Sequence, residues 1–425
     1  MKVVGIIAEY NPFHNGHAYQ IKKAREVSGA DYVIVAMSGN YVQRGAPAIV
    51  DKFSRTAMAL QNGADLVIEL PVLWATASAE FFATAGVSLF DHLGIVDYIS
   101  FGCETSDTNL LTEIAKLLAF EPKEYAVLLS SFLKEGLNYP CARDRAITNY
   151  LQEFCRGESH KFSYEDICAL LATPNNILGM EYEKALLRRN SRIQPLPILR
   201  QGAGYHAEKL HDEYSSATAL RRLILNKSAV SGDFDKLLTP YVPIHTAACL
   251  TSPNATFLTE NDFSQMLYYK LLTERERGFC DYADCSDFLS NRIANSVDSF
   301  VDYSDFCSLI KSKDTTYTRI SRLLLHILLN IRTTDYVLGK SFDYVPYIRP
   351  LGFRRDASCL LTAIKAHTDC PLLTKPAKAS SLLSSESFAL YQMDLLASNL
   401  YYGTVAGKSR ILQKNEYQRE LIISE

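Results

Sequence analysis

Apolar and polar positions alternate in blocks along the first two hundred residues. Val3-Val4-Gly5-Ile6-Ile7-Ala8 is a short, nearly continuous apolar run, as are Tyr32-Val33-Ile34-Val35-Ala36-Met37, Leu66-Val67-Ile68-Glu69-Leu70 and Tyr98-Ile99-Ser100-Phe101-Gly102. Runs of this length, closed by Ser38-Gly39 or Pro71, read as strands buried on both faces. Between them lie stretches of helical periodicity: His17 to Ser28, Asp51 to Asn62 with Gly63 to end it, and Ala75 to Leu93. Such alternation predicts a parallel sheet covered by helices on both sides. Ile193-Gln194-Pro195-Leu196-Pro197-Ile198-Leu199 adds a fifth, proline-marked edge strand. A helical insertion is expected over about 108–172, and from about residue 244 the pattern is helical. The fold class is therefore α/β: a Rossmann-like N-terminal domain with a parallel sheet, residues 1–240, then a mainly helical C-terminal domain, residues 241–425.

Bulk composition narrows the class further. A chain of 425 residues calls for two or three domains. Hydrophobic residues at 48% and charged residues at 21% describe a globular protein and exclude a disordered one. The net charge of -3 announces no nucleic-acid binder, so any such surface must be local. Ten cysteines include no CxxC pair, which predicts reduced, mostly buried thiols in a cytoplasmic protein. Glu9 breaks the opening apolar run too early for a signal peptide. No apolar run approaches the roughly 20 residues of a membrane span.

The chemistry concentrates at Asn11-Pro12-Phe13-His14-Asn15-Gly16-His17, directly after the first strand and at the opening of the first helix. In an open parallel sheet, ligands bind outside the carboxyl ends of the strands. A helix N-terminus there offers free N–H groups and partial positive charge to a phosphate. Gly16 would let backbone approach a ligand. Two imidazoles three residues apart share a helical face, and both can donate to phosphate oxygens as charge builds during attack at an α-phosphorus. The plainer readings are incidental histidines or a metal pair, and the latter lacks Cys or carboxylate partners nearby. A second element, Ser215-Ser216-Ala217-Thr218-Ala219-Leu220-Arg221, follows the last strand and starts another helix. Ser216 can cap it, and with Thr218 and Arg221 it can reach β- and γ-phosphates. Alone, the segment reads as a helix cap with an exposed arginine.

Together these residues resemble the nucleotidyltransferase superfamily that includes class I aminoacyl-tRNA synthetases, whose members share an HxGH-type motif and a late Ser/Thr-x-x-x-Arg-type motif. One branch is closer. Gly5 through His17, Met37-Ser38-Gly39 with Gln43-Arg44-Gly45, Asp65-Leu66-Val67-Ile68-Glu69-Leu70-Pro71, Pro174-Asn175-Asn176-Ile177-Leu178-Gly179 and Tyr344-Val345-Pro346-Tyr347-Ile348-Arg349 resemble the tRNA(Met) cytidine acetate ligase family over most of the chain. The resemblance implies an enzyme that activates acetate with ATP as acetyl-adenylate, then passes the acetyl group to N4 of the wobble cytidine of elongator tRNA(Met). It implies that ATP is wrapped by residues 7–20, namely Ile7, Ala8, Glu9, Tyr10, Asn11, Pro12, Phe13, His14, Asn15, Gly16, His17, Ala18, Tyr19 and Gln20. His14 and His17 would be catalytic. Further ATP contacts are implied for Gly102, Asn175, Arg200 and Gln201. Gln201 stands where the family often has an aliphatic residue, so its contact would be through backbone. A turn glycine and a helix cap are the plainer readings of Gly102 and Asn175. Mg²⁺ is expected to bridge the phosphates.

A tRNA substrate calls for a basic surface. From Lys311 to Arg355, nine Lys and Arg stand against three acids. Lys311, Lys313, Arg319, Arg322, Arg349, Arg354 and Arg355 are expected to meet RNA phosphates, with Tyr317 beside them for stacking. A merely basic helical surface is the alternative. Arg44, Lys52 and Arg55, after the second strand and on the ligand side of the sheet, are expected either to neutralise phosphate or to receive tRNA, with a solvated face as the plainer reading of each. Two other functions remain open. A small-molecule adenylyltransferase would share the HxGH chemistry but need no basic C-terminal half. A non-catalytic tRNA-binding protein would keep a vestigial nucleotide fold, and the intact His14, Gly16, His17 and Arg221 weigh against it.

Overall fold

The computed structural model describes residues 1–105, 108–153, 163–200, 215–226 and 234–425. Its strands are β1 Val3–Ala8, β2 Tyr32–Ser38, β3 Tyr41–Val42, β4 Ala46–Pro47, β5 Leu66–Leu70, β6 Tyr98–Cys103, β7 Gln194–Leu199, β8 Arg349–Arg354 and β9 Ile422–Ser424. The helices that bear on function are α1 Asn15–Ser28, α2 Lys52–Gln61, α3 Ala79–Leu93, α4 Pro174–Arg188, α5 Ala217–Leu225, α6 Tyr317–Leu329, α7 Thr333–Ser341 and α8 Ser385–Ser409. Each strand expected from an apolar run is present to within a residue. The first helix starts two residues early, because His14 rather than a later residue caps it. The expected helix over Ala75 to Leu93 is broken: a single turn, Val72–Ala75, ends at Thr76, and α3 restarts after Ser78. The described part of 108–172 is helical, as expected.

The main sheet has the order β7-β6-β1-β2-β5-β8-β9. Its first five members run parallel. Their apolar side chains are buried on both faces; Val3, Val4, Ile6, Val33, Ile34 and Val67, for example, are fully covered. The chain moves outward from β1 through β2 to β5, then crosses back to β6 on the other side of β1. The topological switch point therefore lies between β1 and β6, where a doubly wound sheet opens a crevice beyond its strand ends.

The C-terminal half returns to this sheet. Strand β8 pairs antiparallel with β5, Glu69 opposite Arg349 and Leu66 opposite Phe353, and β9 pairs parallel with β8. A knot of charge fastens the return. Lys52 Nζ lies 2.6 Å from Glu69 Oε1 and 2.8 Å from Glu416 Oε1. Arg349 pairs with Glu69 at 3.2 Å and with Glu416, and donates to the Tyr391 hydroxyl of α8 at 2.9 Å. All four ionic side chains are at least 95% covered. Buried charges persist only when paired, so the Arg349 and Lys52 positions are interior. This corrects the expectation that Arg349 meets RNA and that Lys52 meets phosphate or RNA. Arg55 is likewise fully buried, donating to the carbonyls of Glu9 (2.6 Å), Ser38 (3.1 Å), Val50 (3.1 Å) and Gly39.

Among the described residues no helix is long and apolar enough to cross a membrane. The described cysteines are unpaired, but Cys141, Cys168, Cys280 and Cys359 are exposed, so the thiols are not mostly buried as expected.

Candidate active site

A cleft opens at the switch point. Its floor is the carboxyl ends of β1, β6 and β7, represented by Ala8, Gly102 and Ile198, and its sides are the starts of α1, α4 and α5. Of the residues expected around ATP, Ile7 through Asn11, His14, Gly16, His17, Tyr19 and Gln20 line it, as do Gly102, Asn175, Arg200, Ser216, Thr218 and Arg221. Pro12, Phe13, Asn15 and Ala18 are not among the lining residues. Phe13 is fully buried against Tyr10 and His17. Asn15 is turned the other way, its backbone N–H and Nδ2 donating to the carbonyls of Tyr241 and Pro240 at 3.1 and 3.0 Å. Gln201 lies outside the described residues.

The two histidines form one unit. The Nδ1 of His14 accepts from the Gly16 N–H at 3.1 Å, and the Nδ1 of His17 accepts from the His14 N–H at 3.3 Å. This reciprocal capping box closes the helix start and stacks the rings at 3.7 Å. An imidazole whose Nδ1 accepts carries its proton on Nε2 when neutral. Burial, with Arg200 and Arg221 nearby, pushes His14 down to about 3. Burial and the neighbouring His14, then Arg200, push His17 well below its usual value. Both rings are thus neutral and locked in one tautomer, each presenting Nε2–H as a donor. Gly16 serves this arrangement: a Cβ there would fall 2.9 Å from the His14 ring, so the glycine makes room for imidazole rather than for a ligand.

Electrostatically the cleft suits an anion. Among its described lining residues, Arg44, Arg200 and Arg221 stand against the single carboxylate of Glu9. Arg221 donates to the Asn11 carbonyl at 2.7 Å and to Thr218 Oγ1 at 3.2 Å. Ser216 caps α5 through the Ala219 N–H, 3.1 Å, which directs that helix N-terminus at the cleft. Asn175 Nδ2 binds Glu104 at 2.5 Å, and its neighbour Asn176 accepts from the Glu104 N–H at 2.9 Å, so this pair joins α4 to the end of β6. A Cβ on Gly102 would come within 3.2 Å of Arg200 Cγ; the glycine makes way for that arginine.

The wall from Glu9 to Asn11 is braced from several sides. Arg55 holds the Glu9 carbonyl, Gln43 N–H donates to Glu9 Oε1 at 2.8 Å, and Ile49 N–H donates to Asn11 Oδ1 at 2.8 Å. Gln43 and Arg44 sit in the β3–β4 hairpin and line the cleft themselves, as do the aromatic walls Phe82 and Tyr182. The sequence points to Arg44 as a cation after the second strand and to Gln43 only through a resemblance, because a turn between two-residue strands leaves no periodicity. Phe82 and Tyr182 read as ordinary helix core.

The basic stretch does not form one face. Antiparallel pairing sends β8 away from the cleft: Arg349 lies near the carboxyl end of β5, whereas Arg354 reaches Asp65 at its amino end (3.7 Å), and the adjoining Arg355 pairs with Glu425 (2.8 Å). Lys311 and Lys313 are exposed before α6, Arg319 is partly exposed and paired with Asp284 at 3.1 Å, and Arg322 is largely covered. Gly45 brings α6 to the cleft. Its φ is 79°, and a Cβ there would fall 2.3 Å from the Arg322 backbone nitrogen. Its carbonyl accepts from Ser321 Oγ at 2.9 Å.

Residues 1–417 match the model of the HIGH Nucleotidyl Transferase family. Among curated relatives, a tRNA(Met) cytidine acetate ligase of Acetivibrio thermocellus is 38% identical over 407 residues, 94% of each chain. One from a Thermoanaerobacter species is 38% identical over 425 residues, covering 99% of this chain and 100% of that one. Among solved structures, Thermotoga maritima TmcAL bound with alpha-thio ATP superposes with a TM-score of 0.88, and its apo form with 0.90; each is 29% identical over the full length of both chains.

Proposed function

The chain belongs to the HIGH nucleotidyl transferase family and, within it, to the tRNA(Met) cytidine acetate ligases, and on that premise we propose that it activates acetate with ATP and acetylates a tRNA cytidine. In the first step an acetate oxygen attacks the α-phosphorus, forming acetyl-adenylate as pyrophosphate leaves. In the second, the N4 amine of the wobble cytidine of elongator tRNA(Met) attacks the acetyl carbonyl. AMP departs and the nitrogen loses a proton, leaving N4-acetylcytidine. The protein would act in the cytoplasm, where charged tRNA is used.

The observation that carries this reading is the locked pair of neutral imidazoles at the switch point. Fixed Nε2–H donors need no reorganisation when charge builds on the α-phosphoryl oxygens, and such preorganised donors are a major source of rate enhancement. Arg200 and Arg221 hold the β- and γ-phosphates, and the α5 N-terminus adds its partial charge. Magnesium would enter with the nucleotide as part of the substrate and would neutralise phosphate charge there. Labour divides near residue 240, with residues 1–240 handling ATP and 241–425 mainly RNA. A small-molecule adenylyltransferase is the lesser reading, since the likeness to tRNA ligases spans nearly the whole chain.

The test is acetate-dependent exchange of labelled pyrophosphate into ATP without tRNA. Exchange that requires acetate supports a free adenylate. Exchange driven instead by an unrelated carboxylate or a nucleotide-like acceptor would overturn the choice of acetate.

A further inference from the structure

Among the described residues that line the ATP cleft, Glu9 supplies the one carboxylate. It stands one residue past the end of β1 and is partly exposed. Its Oε1 accepts the Gln43 N–H at 2.8 Å, and among the described residues the carboxylate makes no other hydrogen bond or ion pair. Arg55, which braces the same residue, points its donors at the carbonyls of Glu9, Ser38, Val50 and Gly39 rather than at this carboxylate. Oε2 is thus left facing whatever enters. The groups suited to phosphate, Arg200, Arg221 and the α5 N-terminus, come from beyond β7, at one edge of the sheet. Glu9 is fastened from the other side, by the hairpin that follows β2. Two residues past Gln43, Gly45 of that hairpin seats on the Arg322 backbone of α6. The carboxylate therefore stands where the ATP-binding half meets the C-terminal half.

The chemistry assigns this group to a step. A carboxylate repels phosphate and attracts N–H donors. In the first step acetate attacks as an anion and has no proton to lose. In the second step the attacking amine must lose one. We propose that Glu9 is the general base of the second step: Oε2 accepts a hydrogen bond from the N4 amine of the target cytidine and then takes its proton. The proposal rests on the tRNA-acetylating reading above. A carboxylate is a matched acceptor for the N4 amine of cytosine, whereas uracil turns an oxygen to the same place. The N4 lone pair is delocalised into the ring, so the amine is a weak nucleophile. As that lone pair bonds to the acetyl carbon, the nitrogen becomes positive, and the adduct goes forward once a proton leaves it. Oε2 takes the proton, the bond from the acetyl carbon to the phosphate oxygen breaks, and AMP leaves with the bonding pair. Glu9 then returns the proton to water. The Gln43 N–H holds Oε1 throughout, which keeps Oε2 aimed at the amine.

The test times the two steps separately on the full chain, for wild type, Glu9→Gln and Glu9→Asp. Glu9→Gln keeps the shape and an oxygen for the Gln43 N–H but removes the base. Glu9→Asp is shorter and keeps the base. Acetyl-adenylate is formed on each protein from ATP and labelled acetate, with pyrophosphatase present; tRNA(Met) is then added and the passage of label to RNA is followed. Acetate-dependent pyrophosphate exchange reports the first step. Glu9→Gln should slow transfer by about 10²–10⁴-fold, and by at least about tenfold more than it slows exchange. Glu9→Asp should transfer faster than Glu9→Gln, although glutamine is the closer fit in shape. Transfer near the wild-type rate in Glu9→Gln overturns the proposal. So does a loss of exchange that matches or exceeds the loss of transfer, which would assign Glu9 to ATP. Faster transfer in Glu9→Gln than in Glu9→Asp also overturns it, since shape and not basicity would then decide. A wild-type protein that forms no adenylate, or forms it and passes no label to RNA, defeats the tRNA-acetylating reading itself, an outcome read without any variant.

Discussion

His14 carries two loads that the sequence presents as one. As N-cap it closes α1, and as a ring it holds a donor ready for phosphate. Replacing it by alanine should therefore reduce adenylate formation by about 10²–10³ through the lost donor, and lower stability by roughly 1 kcal/mol through the lost cap. Pyrophosphate exchange and urea unfolding measure the two effects separately; near-normal exchange would remove His14 from the chemistry. His17→Ala should show the same loss of exchange. The shifted titration makes a further prediction. An unfolded histidine takes up a proton near pH 6.5, whereas His14 in the fold resists protonation down to about 3. Between those values the unfolded chain binds the extra proton, so stability is full above about 6.5 and falls as the pH drops towards 3. Unfolding midpoints at several pH values should show this slope, and His14→Gln should flatten part of it.

Among the elements, the parallel strands were legible because burial on both faces writes them as apolar runs, from Val3–Ala8 to Tyr98–Cys103. The HxGH motif was legible because it sits where β1 meets α1. Strand β8 was not, since Arg349-Pro-Leu-Gly-Phe-Arg354 offers no run, and its two end arginines looked like surface. Only tertiary pairing with Glu69, Glu416 and Asp65 reveals why the chain places charge there. Lys52 and Arg55 misled for the same reason: cations after a strand end suggest a ligand, and the fold uses them as internal ties. Removing one member of the buried knot should be costly. Arg349→Met should destabilise the protein by about 3–5 kcal/mol, because Glu69 and Glu416 then share one remaining cation. Unfolding in urea checks this; an unchanged midpoint combined with weakened tRNA binding would restore Arg349 to the RNA surface. The β3–β4 hairpin carries a matching expectation. Gly45→Ala, at φ 79° and against the Arg322 backbone, should cost about 1–3 kcal/mol and loosen the Gln43 contact to Glu9. That would appear as a raised KM for ATP.

At the scale of the whole molecule, the sheet separates two basic groups that are close in sequence. Lys311, Lys313 and Arg319 stand at the start of α6, whose Arg322 backbone receives the hairpin that also lines the ATP cleft. Arg354 and Arg355 stand at the amino ends of the strands. Reversing the first three to glutamate should weaken tRNA binding and flatten its salt dependence, since each phosphate contact releases counterions. Reversing Arg354 and Arg355 should do neither. Binding across a salt series reads both, and equal losses would mean that the RNA wraps the far edge of the sheet. All of this presupposes that the cleft makes an acetyl-adenylate and that the RNA accepts its acetyl group. The most direct test is to incubate the purified protein with ATP, labelled acetate and tRNA(Met), then digest the RNA and analyse its nucleosides by mass. The account predicts labelled N4-acetylcytidine that appears only when ATP, acetate and tRNA are all present, and that vanishes with His14→Ala. Acetylated RNA formed without ATP, or label found only in a small-molecule nucleotide product, would contradict it.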